Sequence, residues 1–72
     1  MQQPNRSSRM TGREQQVIRY LCHGYTSKQI GNQLQISHLT VEKHKKNLLD
    51  KFQANSSAHL VYLIMNQNLL EF

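Results

Sequence analysis

The stretch SKQIGNQLQISHLTVEKHKKNLLDKF, residues 27 to 52, carries two helical periodicities with almost no chain between them. Ile30 and Leu34 form the first, and Val41, Lys45, Leu48 and Phe52 form the second. Spacings of three and four put each set on one side of a helix. Between the two patterns stand Gln35 and Ile36, then Ser37, a residue type suited to cap the second helix. So little chain permits only a tight turn, and a short helix, a tight turn and a longer helix must therefore follow one another directly.

The flanks extend this pattern to four helices. TGRE is a capping box in which Thr11 accepts from the amide three residues on while Glu14 reaches back, so a first helix is expected from Gly12 to His23. Val17, Ile18 and Leu21 share its buried face, and Gly24 supplies a left-handed residue to end it. TSKQ repeats the box with Thr26 and Gln29, opening the second helix at Ser27 and running to Leu34. Ser56 caps a fourth helix, SAHLVYLIMNQ, with Leu60, Val61 and Ile64 inward. Ala58, Tyr62 and Met65 make a second apolar stripe on another side, which calls for a second partner. No strand-like alternation occurs, and the fold class is all-α, four short helices. Residues 1 to 9, polar with Pro4 and two serines, read as a flexible arm or linker, and residues 10 to 72 as the folded domain.

A chain of 72 residues has room for one domain with a small core and none for a deep catalytic cleft. No serine or cysteine has a recognisable base and acid beside it, and Glu14, Glu42, Asp50 and Glu71 form no dyad, so no catalytic residue is assigned and no enzyme is expected. His23, His38, His44 and His59 are spread over three elements without a second histidine or cysteine ligand at i, i+3 or i+4, which leaves no metal site and no cofactor. Cys22, the single cysteine, reads as core filling and suits a reducing compartment. With no apolar run of roughly 18 residues and no signal-like start, the chain reads as soluble and cytoplasmic, without a membrane partner.

The net charge of +5 favours a polyanion. Positive charge gathers at Arg6, Arg9 and Arg13, and again at Lys43, Lys45, Lys46 and Lys51. On the third helix, Glu42, Lys43, Lys46, Asn47 and Asp50 fall opposite the apolar stripe, on a face expected to be cationic and without large apolar groups. His44 and Leu49 lie on its borders. This is the pattern of a helix-turn-helix, whose second helix enters the DNA major groove, where lysine ammonium groups can donate to guanine O6 and N7. The helix starts at Ser27, His38 and Ser57 suit phosphate oxygens, with Lys28 adding charge.

Residues 10 to about 70 resemble the DNA-binding domain of the LuxR family of bacterial transcription regulators, which is similar to that of NarL-type response regulators and the spore regulator GerE. The resemblance rests on T-x-R-E opening helix one, G-x-[ST]-x-K-x-I leading into helix two, I-S-x-x-T-V-x-x-H leading into helix three, and L-x-K-F closing it. It implies base contacts from Glu42, Lys43, Lys46 and Asn47, and backbone contacts from Thr26, Ser27, Lys28, Ser37, Thr40, His44, Lys45, Ser56 and Ser57. It also implies a homodimer formed through Ala58, Tyr62 and Met65 on helix four, bound to double-stranded DNA. Three positions depart from the family pattern. Glu42 stands where lysine is frequent, and is tolerable if it accepts from a cytosine N4 amine or pairs with Lys43 or Lys46. Gln53 stands where glycine commonly follows helix three, so a different turn into helix four is expected. Gly31 replaces a usual alanine, keeping close approach possible at about 1 kcal/mol of helix propensity.

The leading reading is a sequence-specific transcription regulator. A second is a stand-alone interaction module that uses helix four to pair with another transcription regulator and modify it. A third, region four of a sigma factor, has a similar helix-turn-helix but accounts less well for the apolar fourth helix.

Overall fold

The structure is a computed structural model that describes residues 10–67; the expected arm at 1–9 and the last residues, including Glu71, lie outside it. It contains α1 (Gly12–Cys22), α2 (Ser27–Leu34), α3 (His38–Phe52) and α4 (Ser57–Asn66), and no strand among the described residues. Each helix starts where a hydroxyl side chain can accept an orphan amide. Thr11, Thr26, Ser37 and Ser56 accept from Glu14, Gln29, Thr40 and His59 respectively. Both predicted capping boxes close: Glu14 Oε1 accepts from the Thr11 amide at 3.2 Å, and Gln29 Oε1 from the Thr26 amide at 2.9 Å.

Three helices end by the same device. At α1 the chain turns through Gly24 (φ 87°), with Tyr25 N donating to Tyr20 O and Gly24 N to Leu21 O, and the helix stops one residue before the expected His23. At α2 the left-handed residue is Gln35 (φ 58°) and Ile36 N donates to Gly31 O; at α3 it is Gln53 (φ 54°) and Ala54 N donates to Leu49 O. The expectation that Gln53 would change the turn into α4 is therefore corrected. The two bonds onto Asp50 and Leu49 carbonyls hold the left-handed geometry although glutamine has a Cβ, at a cost of about 1 to 2 kcal/mol. The last helix ends at Asn66, with Gln67 as its cap and outside it.

The core is built from Met10, Val17, Ile18, Ile30, Val41, Leu48, Phe52, Leu60 and Ile64, drawn from every helix. α3 lies against all three other helices, so its inner face is fixed from every side. The predicted inward stripes hold with three adjustments. Leu21 and Val61 are half-buried, Leu63 packs on the core as well, and Met10 joins the core ahead of α1. The half-buried Cys22 packs here too, and burial pushes its thiol above the ordinary range, as a core cysteine requires. Gly31 is buried where α2 meets the turn into α3. A Cβ there would lie 2.7 Å from the Ile36 carbonyl oxygen, so the missing side chain lets the turn fold back tightly beneath α3.

Candidate nucleic-acid interface

The outer face of α3 follows from its inner one. With Val41, Leu48 and Phe52 buried, a step of about 100° per residue puts Leu39, Lys43, Lys46 and Asp50 within a sector of about 60° on the far side. Glu42 and Asn47 flank that sector, and all six residues are exposed. The expected face without large apolar groups is corrected at one position: Leu39 sits at its middle and is 69% exposed.

The four lysines of this region do not act as one patch. Lys51 turns away to α1, where its Nζ lies 2.6 Å from Oε1 of Glu14, a carboxylate whose side chain is 4% exposed. Lys45, half-buried, donates to Ser27 Oγ at 3.2 Å and reaches Glu42 Oε2 at 3.5 Å. By contrast, Lys43 and Lys46 have no hydrogen-bond or ion-pair partner among the described residues. The unneutralised charge on α3 is thereby concentrated on two neighbouring side chains of one exposed face.

Glu42 is tied down differently from expectation. Neither Lys43 nor Lys46 pairs with it; the Ser27 hydroxyl, at the first residue of α2, donates to Glu42 Oε2, and Lys45 completes a three-membered cluster between α2 and α3. The Ser27 hydrogen bond, opposed by slight desolvation and aided by the Lys45 ammonium, holds the Glu42 carboxyl below its ordinary range. A charged carboxylate is therefore fixed at the edge of the cationic sector with its field partly cancelled. This arrangement lay outside sequence reasoning because its partners sit 15 and 18 residues apart in the chain.

The remaining residues named for backbone contacts sit at helix starts. Lys28 is exposed on the first turn of α2 beside Thr26, Ser37 and Thr40 lie exposed at the start of α3, and Ser56 and Ser57 open α4. Their hydroxyls serve as caps first: Ser37 Oγ accepts from Thr40 N at 3.2 Å and Ser56 Oγ from His59 N at 3.0 Å. The first-turn amides of these helices have no partner within the helix, and they point outward with the positive end of the dipole. His44 is half-buried, and its Nδ1 is buried without a hydrogen-bond partner among the described residues.

On α4, Ala58, Tyr62 and Met65 are exposed, the last two at 61% and 53%, and they form an apolar stripe that the core does not cover. A depression of about 370 Å³ lined by Gln16, Arg19, Tyr20, His23 and Tyr25 lies at the end of α1 and takes nothing from α3. Among the described residues no group of three or more His, Cys, Asp or Glu side chains converges as metal ligands would. No helix there is long and apolar enough to cross a membrane.

Four helices, a short capped α2, a three-residue turn and a longer α3 with a polar outer face define a helix-turn-helix domain. Comparison with known proteins gives it a family. Residues 8–64 match the sequence profile of the bacterial regulatory proteins of the luxR family, and the chain belongs to that family. It is 37% identical over 65 residues to the transcriptional regulatory protein FixJ of Bradyrhizobium diazoefficiens, covering 90% of this chain and 32% of FixJ. It is 41% identical over 59 residues to the nitrate/nitrite response regulator protein homolog of Haemophilus influenzae, covering 82% of this chain and 28% of that protein. The crystal structure of full-length FixJ from B. japonicum superposes with a TM-score of 0.78 at 36% identity, over 92% of this chain and 32% of that one. The chain thus spans about a third of the length of these relatives. The family is one of regulators and not a class of enzymes.

Proposed function

We propose that this chain is a DNA-binding transcription regulator domain that lays α3 in the major groove and pairs through α4 as a homodimer. The observation that carries the reading is the division of labour among the lysines. Lys45 and Lys51 are engaged inside the domain, while Lys43 and Lys46 stand on one exposed face of the helix after the turn. In the groove their ammonium groups donate to guanine O6 and N7, Glu42 accepts from a cytosine N4 amine, and Asn47 extends the contact along the same helix. Lys28, the caps Thr26, Ser37 and Ser56, the first-turn residue Thr40, the first-turn amides of Ser27 and Ser57, and His44 meet the phosphates. In this reading Ser27 and Lys45 act chiefly through Glu42.

The test is selection of retained sequences from a pool of random duplexes at near-physiological salt, with the wild-type chain and with Lys43→Ala/Lys46→Ala. Each single substitution is expected to weaken binding to the best site by about 1 to 3 kcal/mol and to relax preference at one position. Lys28→Ala is expected to weaken binding to all sequences alike and to lower the salt slope by about 1. An inverted repeat in the selected pool supports pairing through α4. Unchanged affinity of the double variant for its best site refutes the assigned face. Retention without enrichment, together with pairing to a second regulator through Tyr62, would favour the interaction module.

A further inference from the structure

We infer that Leu39 is a further specificity-determining residue, reading the C5 methyl group of a thymine beside the base pair contacted by Lys43. The inference rests on the reading of α3 as the groove helix. Leu39 is the second residue of α3 and is 69% exposed, although the helix buries its other aliphatic face completely at Val41 and Leu48. It is in angular register with Lys46 and one turn before Lys43, so its methyl groups are in line with the two unpartnered ammonium groups.

A leucine on a solvated cationic face gains nothing from the folded domain alone. The surface that suits it is one that offers an apolar spot within a polyanion. The major groove has such a spot at every thymine, because the C5 methyl is the one apolar group on the edge of a base pair. Position along α3 agrees, since the N-terminal residues of a groove helix are the ones that meet base edges. Four residues of helix separate Leu39 from Lys43 by about 6 Å, which places the thymine within about two base pairs of the guanine that Lys43 contacts. Two electrostatic readers and one apolar reader then share a single helical stripe, and the apolar member discriminates thymine from cytosine where the lysines cannot.

The test removes the methyl from the DNA. In the best selected duplex each thymine is replaced in turn by deoxyuridine, which keeps every hydrogen-bonding group, and the affinities of the wild-type chain and of Leu39→Ala are compared. Alanine is a strong helix former, and far-UV circular dichroism of the variant checks that α3 is intact. Deoxyuridine at one thymine near the Lys43 position is expected to weaken wild-type binding about fourfold, the equivalent of one buried methyl group. The same replacement is expected to leave Leu39→Ala unchanged. Equal penalties in both proteins, or none at any thymine, overturn the role of Leu39 while leaving the lysine contacts standing. A pool without any enriched site overturns this inference together with the groove reading beneath it.

Discussion

Replacing Lys51 by methionine tests a contact that joins α1 to α3. Methionine keeps an unbranched stem of similar length and deletes the ammonium group 2.6 Å from Glu14 Oε1. The carboxylate left behind is 4% exposed and keeps the Thr11 amide at 3.2 Å. Breaking a fully buried pair by removing one partner costs about 3 to 5 kcal/mol, and an exposed pair is worth about 0 to 1. Lys51 is 34% exposed on its side chain, so the contact falls between these limits, at about 2 kcal/mol. For a domain of this size that lowers Tm by about 8 to 16 °C. The assay is thermal unfolding followed by far-UV circular dichroism at neutral pH, on the wild type, Lys51→Met, Glu14→Gln and the double variant. Glutamine can still accept from Thr11 and needs no counter-ion, so the double variant is expected to recover much of the loss. A coupling energy below about 0.5 kcal/mol would place the pair among screened surface contacts and refute the reasoning. Folded Lys51→Met is also expected to keep its DNA affinity, unlike Lys43→Ala.

Glu42 gives a pH prediction. Its folded carboxyl is held below the ordinary value of 4.5, so the stabilisation is fully present above that value and is lost as pH falls through the lower folded one. Ser27→Ala removes the principal cause and is expected to flatten this acid limb in thermal unfolding between neutral pH and about pH 3, by less than about 1 kcal/mol because the group is exposed. An unchanged acid limb would contradict the cluster. Gln53→Gly relieves a left-handed residue at φ 54° but adds glycine's entropy, and is expected to raise stability by about 0.5 to 1 kcal/mol; a loss would show that the glutamine side chain has its own role. Tyr62→Asp places a charge in the exposed α4 stripe and is expected to convert a dimer to monomer by analytical ultracentrifugation without changing monomer Tm; a dimer that persists would remove α4 from the interface.

What was legible in the sequence was what is local. Caps are three-residue signals, so Thr11 with Glu14 and Thr26 with Gln29 identify their helices unaided, and 3.6-residue periodicity finds Val41, Leu48 and Phe52. The lysine cluster was legible as charge and illegible as chemistry. Which lysines are held inside the domain depends on Glu14, which lies 37 residues before Lys51, and on the Ser27 hydroxyl, which lies 18 before Lys45 and bonds both it and Glu42. Leu39 escaped for a different reason. A lone leucine off the main stripe carries no periodic signal, and it becomes conspicuous only once the opposite face is seen to be filled. The left-handed Gln35 was hidden because nothing in its residue type announces the conformation that the Ile36 and Gly31 hydrogen bond imposes.

The carboxylate of Glu14 also behaves as a mechanical joint. Its Oε1 holds the amide of Thr11, where the chain enters α1, and the ammonium of Lys51, at the foot of α3. Any movement of the chain entrance relative to α3 must therefore break a polar link at this one carboxylate as well as draw Met10 out of the core.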